Sequence, residues 1–322
     1  MKFTKIFDGF PPPKFLDIPF AGVSISDTSV RSIQFGKKHS SLYIEKYSDK
    51  PIPTGFVLSG QINNKEELSK ILEVIKKEQR LDYVRVSLPE EKAYLFTAKI
   101  PMLKQEEILS AIESKIEENV PVSPAELIFD YLLIPHTEKD HIDVVVSAIP
   151  MGVIDTYIEV VEKSGLSLLS LEIESQAVSR ALLALDDRGT VLIIHFRPGK
   201  FGLYVTTDRI VRFTSTILVK EEFKGKPEFV LQEIKKLYIY WHTLKENVNK
   251  PEKKIERIIV CGEDSGDDIV PFLSAHNPTP VTLGNVWLNT FSVDLELPKI
   301  SFSDSLKYAS AVGLALPDQT LI

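Results

Sequence analysis

Residues 20–34, Phe20-Ala-Gly-Val-Ser-Ile-Ser-Asp-Thr-Ser-Val-Arg-Ser-Ile-Gln34, begin as an apolar strand, break into small hydroxyl residues and resume as a second strand. The pattern is a strand, a tight turn and a returning strand. Turns built from small residues let backbone N–H groups approach an anion closely, so the stretch has the form of a phosphate hairpin. Two positions depart from that chemistry. Ser24 and Ser26 stand where such a hairpin carries a carboxylate for a metal and a glycine for room.

Outward from the hairpin, Ser41–Lys46 extends it into a meander, and Phe56–Leu58 adds a short strand. Lys65–Arg80 then places Leu68, Ile71, Leu72 and Ile75 on one helical face. Tyr83–Leu88 and Ala93–Ile100 read as strands ended by Pro89 and Pro101. Gln105–Asn119 is an acidic amphipathic helix, Leu127–Ile134 and Ile142–Ile149 are strands, and Val153–Lys163 is a helix stopped at Ser164-Gly165. Leu166–Ile173 returns as a strand before the helix Ser175–Leu185.

Beyond the charged bend Asp186–Gly189 the opening pattern recurs. Thr190–Phe196, Phe201–Thr206 and Arg209–Leu218 form a second meander, followed by the long helix Pro227–Asn247 and the strand Glu256–Cys261. A helix over Asp267–Ala275, a short strand Pro280–Leu283 and a helix Ser305–Leu316 close the chain. A duplicated meander with helices predicts a mixed α/β protein whose two hairpin turns face each other across a cleft. The expected division is a first domain over 1–100, completed by 165–186 and 305–322, a small inserted subdomain over 101–164 and a second domain over 187–304.

Composition narrows the function classes. The chain has 322 residues, 43% of them hydrophobic and 26% charged, with a net charge of −7 spread over interspersed residues. No basic stripe suited to a nucleic-acid backbone is present. The single cysteine, Cys261, follows Ile258-Ile-Val260 and reads as a buried core thiol in a reducing, cytoplasmic setting. No apolar run has the length of a bilayer span, so work at a membrane implies recruitment by a partner.

Several stretches together resemble a known family. They are Gly22-Val-Ser-Ile-Ser26 with Ser29-Val-Arg31, Ile100-Pro-Met-Leu103, Val120-Pro-Val122 and Phe129-Asp-Tyr131. Ser164-Gly-Leu166, Glu172-Ile-Glu174, Ile258-Ile-Val-Cys-Gly262 and Ala311-Val-Gly-Leu-Ala315 continue the series. Their order and spacing are similar to those of the type IV pilus assembly protein PilM, an actin-like relative of the division protein FtsA. The resemblance implies an actin-like ATPase fold and a cytoplasmic scaffold. Its implied partner is the N-terminal tail of a PilN-like inner-membrane protein, beneath a platform shared with other pilus proteins and an assembly motor.

The same resemblance implies ATP with magnesium in the cleft, and here the residues diverge. The family's first hairpin has an aspartate and a glycine where this chain has Ser24 and Ser26. A hydroxyl brings no charge to a magnesium ion, whose ligands are carboxylates and phosphate oxygens. Asp27, beside Thr28, stands one residue beyond and reads either as a substitute ligand or as a turn former through its own side chain. In the second hairpin His195 and Arg197 replace the expected aspartate and glycine. Arg197, Gly199 and Lys200 read equally as an anion grip or as solvated charges at a turn tip. Ile217-Leu-Val-Lys220 replaces the paired glycines after the second meander, and Gly262 is kept while Glu263 replaces the second adenosine-facing glycine.

Three nucleotide loops have thus each lost the residue type the chemistry needs. The expectation is a docking scaffold that no longer hydrolyses ATP, with no catalytic residue and no metal site. Ser24, Ser26, Asp27, Thr28, Arg197, Gly199, Lys200 and Gly262 line what remains of the cleft. The rival expectations are an active actin-like ATPase using that cleft and an FtsA-like division protein, the latter disfavoured by a tail without a basic amphipathic helix. His136 and His141 lack metal-ligand spacing, and Glu172 and Glu174 read as capping or solvated. Tyr238, Tyr240, Trp241 and His242 read either as an aromatic platform for a partner or, for most of them, as the core face of a long amphipathic helix.

Overall fold

The computed structural model describes residues 18–38, 41–134, 140–245, 247–263, 268–290 and 300–317. Along the chain, the first part comprises β1 (Phe20–Ile25), β2 (Ser29–Lys38), β3 (Ser41–Pro51), a short pair β4 (Val57–Leu58) and β5 (Gln61–Ile62), α1 (Lys65–Gln79) and β6 (Tyr83–Leu88). The middle part is β7 (Tyr94–Pro101), α2 (Gln105–Asn119), β8 (Leu127–Ile134), β9 (His141–Pro150) and α3 (Met151–Lys163). β10 (Ser167–Ile173) and α4 (Glu174–Leu182) lead into the second half. That half holds β11 (Thr190–Arg197), β12 (Lys200–Thr207), β13 (Ile210–Leu218), α5 (Pro227–Thr243), β14 (Arg257–Gly262), α6 (Ile269–His276), β15 (Val281–Leu283), α7 (Phe302–Ser305) and α8 (Ala309–Ala315).

The duplication predicted from the sequence is explicit in the sheets. One has the order β10-β6-β1-β2-β3 and the other β13-β12-β11-β14-β15. In each, an antiparallel meander is joined through its first strand to two parallel strands, β6 and β10 in one case and β14 and β15 in the other. The central strands β1 and β11 are buried on both faces, which is why Val191-Leu-Ile-Ile194 reads as an unbroken apolar run rather than an alternation.

Helix α1 starts where the Asn64 side chain accepts from the Glu67 N–H at 3.1 Å and ends where Arg80 turns left-handed at φ 51°. Its buried face, Leu68, Leu72 and Ile75, packs in one core with Ile154, Tyr157, Val160 and Val161 of α3 beneath the first sheet. A three-stranded sheet of order β7-β9-β8 with α2 forms a separate small layer around Ile112, Ile116 and Val146. That layer takes β7 from the stretch expected to close the first domain, because β7 bonds to β9 along its whole length. Conversely α3, expected in the inserted unit, gives its apolar face to the first core. The small sheet with α2 thus draws its elements from residues 94–150.

Helices α4 and α8 lie between the two large sheets, where Val178, Ala181, Ala311 and Val312 meet Val191, Ile193 and Cys261. The closing helix expected over 305–316 is broken into α7, a 3₁₀ turn at Leu306–Tyr308 and α8. Small residues let α8 approach closely: a Cβ on Gly22 would stand 2.1 Å from the Ala311 carbonyl oxygen, and one on Gly313 would stand 1.8 Å from that of Ala177. Either methyl must force the helix off its sheet or its partner helix. Gly22→Ala and Gly313→Ala are each expected to lower stability by about 3 kcal/mol in urea unfolding. Gly152→Ala, with nothing within 4 Å of its added Cβ, should change it by less than about 1 kcal/mol.

Candidate functional site

The two hairpin turns face each other across the cleft, and side chains close the space between them. In the first turn Ser26 folds back on itself, its hydroxyl oxygen accepting from the N–H of Thr28 at 3.3 Å and of Ser29 at 3.1 Å. The turn is therefore capped by Ser26, which frees Asp27 from the turn-forming role expected of it. The Asp27 carboxylate instead accepts from the N–H groups of Ser59 and Gly60 at 3.0 and 3.1 Å, and meets Lys200 Nζ at 2.8 Å. Thr28 offers its carbonyl to the Ile52 N–H at 2.7 Å, and Ser24 is buried at the floor of the cleft.

Arg197 and Lys200 are neither solvated nor open to an anion, because each is buried against carboxylates of the first half. Arg197 Nη1 lies 2.8 Å from Glu174 Oε2 and 3.1 Å from Glu91 Oε1. Lys200 Nζ lies 2.6 Å from that same Glu91 oxygen. Between them Gly199 makes the turn at φ +73°, which a side chain would strain. On the opposite side of the cleft Arg31 bridges Asp49 at 3.1 Å to Glu263 at 2.7 Å, and Lys307 reaches Asp49 at 3.0 Å. Glu263 thus joins the halves from the position where a purine needs room. Gly262 serves the backbone, since at φ +98° a Cβ would stand 2.0 Å from the Phe196 carbonyl oxygen.

Electrostatics follow from this burial. Burial alone pushes the Asp27 and Glu91 carboxyls up, but the charge and hydrogen bonds of Lys200, with Arg197 for Glu91, outweigh it and hold both below the usual range. Glu174 ends above its ordinary value because burial exceeds the pull of Arg197. His195, 3.8 Å from Glu174 and 3.5 Å from the Tyr204 hydroxyl, is driven well below the usual imidazole range by burial and then by Arg197. It is a neutral core histidine.

What is left of the cleft is a cavity of about 10 Å³ among Ser24, Arg31, Glu174, His195, Arg197 and Glu263. A space of that order holds about one water, whereas small-molecule sites run to roughly 300–1,000 Å³. The residues present do not fit a metal-bound nucleotide. Asp27, the substitute ligand considered from the sequence, is committed to Lys200 and two backbone donors, Glu174 and Glu263 are ion-paired with Arg197 and Arg31, and Lys200 is paired with Glu91. Among the described residues no group of three or more His, Cys, Asp or Glu side chains is arranged to hold a metal ion. His141 pairs with Asp140 and Asp143, and His136 lies outside the described residues.

A larger opening lies elsewhere. A groove of about 620 Å³ runs between the small sheet and the β10 edge of the first sheet, closed at one end by the start of β13. Ile128, Leu132, Leu169, Leu171, Ile173 and Ile210 line it together with Asp130, Ser147, Glu172, Gln176, Arg180 and Arg209. Among the described residues β8 pairs only with β9, and β10 only with β6, so each is an edge strand of its sheet. Leu169 is 42% and Ile128 44% exposed. Glu172, expected at a solvated strand end, is ion-paired with Arg180 at the rim, and Arg180 also donates to the Gly313 carbonyl at 3.0 Å. The sequence pattern did not single out Glu91; the adjacent Glu90-Glu91 after a strand was the one available signal. On α5, Trp241 is core and donates to the Lys253 carbonyl at 2.7 Å, while Tyr240 is half exposed against Phe213.

Two duplicated sheets facing across a cleft, with a small sheet set into the first half, define an actin-like protein. The chain belongs to the family described as type IV pilus assembly protein PilM, whose model matches residues 22–197, more than half of the 322-residue chain. A solved PilM-PilN type IV pilus biogenesis complex is similar with a TM-score of 0.77 at 14% identity, over 92% of this chain and 98% of that one. The cytoplasmic domain of EpsL, an inner-membrane component of the type II secretion system of Vibrio cholerae, is similar with a TM-score of 0.50 at 8% identity, over 91% and 94%. Ethanolamine utilization protein EutJ from Carboxydothermus hydrogenoformans gives 0.50 at 14% identity, over 95% and 90%. These likenesses bear on the fold. No curated protein matches the sequence. Among the described residues no helix is long and apolar enough to cross a membrane.

One titration in the cleft wall is open to measurement. Glu90 is fully buried with Oε2 accepting from the Ser175 N–H at 3.0 Å, and burial pushes its carboxyl up to about 7 despite that bond. The folded state then holds a proton that the unfolded chain releases near 4.5, so this stabilising share is whole below about pH 4.5 and is lost as pH rises through about 7. Relative to the parent, Glu90→Gln is expected to gain stability from pH 5 to 8, towards on the order of 3 kcal/mol, in urea unfolding. A flat difference across that range would refute the assignment.

Proposed function

We propose that this chain is a cytoplasmic adaptor of a type IV pilus or related secretion or competence platform, and that it works by docking rather than by hydrolysing ATP. Its partner is the N-terminal cytoplasmic tail of a PilN-like inner-membrane protein, which keeps the adaptor at the inner face of the membrane. Other platform proteins and the assembly motor engage the adaptor from its remaining surfaces. The observation that carries this is a contrast of volumes: about 620 Å³ of groove against about 10 Å³ in the cleft. The family match and the likeness to PilM in a PilM-PilN complex support the choice of partner.

The groove suits an extended, largely apolar peptide. As edge strands, β8 and β10 offer main-chain hydrogen bonds to a strand laid beside them, and the pockets between Ile128, Leu169 and Leu171 take alternate side chains. The closed cleft, with its cations paired to protein carboxylates, supports the absence of nucleotide chemistry.

Calorimetry with a synthetic peptide of the cytoplasmic tail of the neighbouring-gene membrane protein should give micromolar binding to the full chain. Leu169→Arg, which sets a charge into the groove, should weaken it at least tenfold. No heat at high micromolar peptide would end the adaptor assignment. In a separate measurement, millimolar ATP with magnesium should leave the melting temperature unchanged. A nucleotide bound at 100 times its Kd would add about 2.7 kcal/mol and move it by several degrees.

A further inference from the structure

The groove and the sealed cleft share the same strand ends. β10 passes without a loop into α4, so that Leu168, Leu169, Leu171 and Ile173 line the groove while the next residue, Glu174, is buried in the cleft. β6 repeats the arrangement. Its last residue, Leu88, lines the groove and lies opposite Ile173 in the parallel register, and three residues later Glu91 enters the cleft. One guanidinium from the other half of the molecule holds both ends, since Arg197 Nη1 reaches Glu174 at 2.8 Å and Glu91 at 3.1 Å. A second link runs from Ser175 N–H to Glu90 at 3.0 Å, tying the two strand exits directly.

The second half also supplies a wall of the groove, through Arg209, Ile210 and Val211 at the start of β13. β13 belongs to the same meander as Arg197 and Lys200. Ile210 pairs with Thr207, at the opposite end of β12 from Lys200, and this wall is tied to α4 directly by Ser179 Oγ donating to the Arg209 carbonyl at 3.2 Å. Among the described residues the hairpin tips themselves are joined by Lys200 to Asp27 at 2.8 Å, and Lys200 also reaches Glu91 at 2.6 Å. Ile173 and Glu174 are consecutive, with Cα atoms about 3.8 Å apart, so a shift of Glu174 is passed directly to Ile173.

We infer that Arg197, with Glu91, Glu174 and Lys200, forms an ionic clamp whose role is to position the peptide groove, so that these four are positioning residues for partner binding although they lie in the cleft. The inference rests on the adaptor reading of the groove. A peptide that binds only the clamped arrangement is weakened by the fraction of molecules in which the clamp is open. Occupancy of the groove in turn favours the closed clamp, by the same factor.

The test uses the full chain and the same synthetic tail peptide, in calorimetry, with four variants. Arg197→Met is expected to weaken binding about tenfold, and Arg197→Lys, which keeps a cation in reach of Glu91, to recover most of it. Amide hydrogen exchange at Leu88 and Ile173 should quicken in Arg197→Met and return in Arg197→Lys, a response that mere loss of global stability would spread over the whole chain. Because a buried carboxylate left without its partner can unfold the protein, the double variant Glu174→Gln with Arg197→Met removes both charges and is expected to fold and still bind about tenfold more weakly. Leu169→Arg separates the two claims. If it abolishes binding while the Arg197 variants stay within about twofold of the parent, the clamp inference is overturned and the groove stands. If it leaves binding unchanged, the groove assignment falls and takes the inference with it.

Discussion

A buried guanidinium between two carboxylates is the interaction on which this structure turns. Arg197 sits 8% exposed on the second hairpin with Glu174 and Glu91 around it, and Lys200 completes the set. Taking such charges out of water costs several kcal/mol per ion, repaid only when the pairing geometry is good and the remaining donors and acceptors are bonded as well. The four contacts between 2.6 and 3.1 Å pair the charges, while Arg197 Nε and Nη2 and both Glu91 carboxylate oxygens are buried without a well-formed hydrogen bond. Their consequence is geometric: Lys200 and Asp27 join the two hairpin tips, and separating them would expose both charges.

That constraint reorganises an actin-like frame. The frame itself is held by apolar packing, with α4 and α8 wedged between the duplicated sheets and glycines allowing α8 to lie flat on β1. Such a frame has two openings, one between the hairpins and one between the small sheet and β10. Here ion pairs consume the first, at Arg197 and Lys200 on one side and Arg31 and Glu263 on the other. The second keeps its apolar side chains and two edge strands. Polar side chains at the turns thus fill the first opening while the apolar packing of the frame holds the second apart.

Periodicity made most of the architecture legible. The alternation through Phe20–Gln34, its recurrence from Thr190 and the helical stripes of α1, α3 and α5 were readable because each pattern sits within a window of one element. Legibility failed where neighbours in space decide. β7 has the same strand pattern whichever sheet it joins, and the amphipathic face of α3 fits either the small layer or the first core. The clamp is further out of reach: Asp27 and Lys200 are 173 residues apart, and Arg31 and Glu263 are 232 apart. A charged residue at a turn tip looks the same in sequence whether it meets water, a phosphate or a distant carboxylate.

By itself, the sequence determined the duplicated meanders, the helices that cover them, the family resemblance and the loss of metal-binding and glycine residues at the nucleotide loops. Those properties are local, set by side-chain period and by residue type at a turn. Only the tertiary structure decided that Arg197 and Lys200 are neutralised, that Asp27 leaves its own turn to Ser26, and that about 10 Å³ remains in the cleft against about 620 Å³ in the groove. The physical reason is that ion-pair partners and free strand edges come into being when distant segments meet, and no single stretch of the chain encodes either.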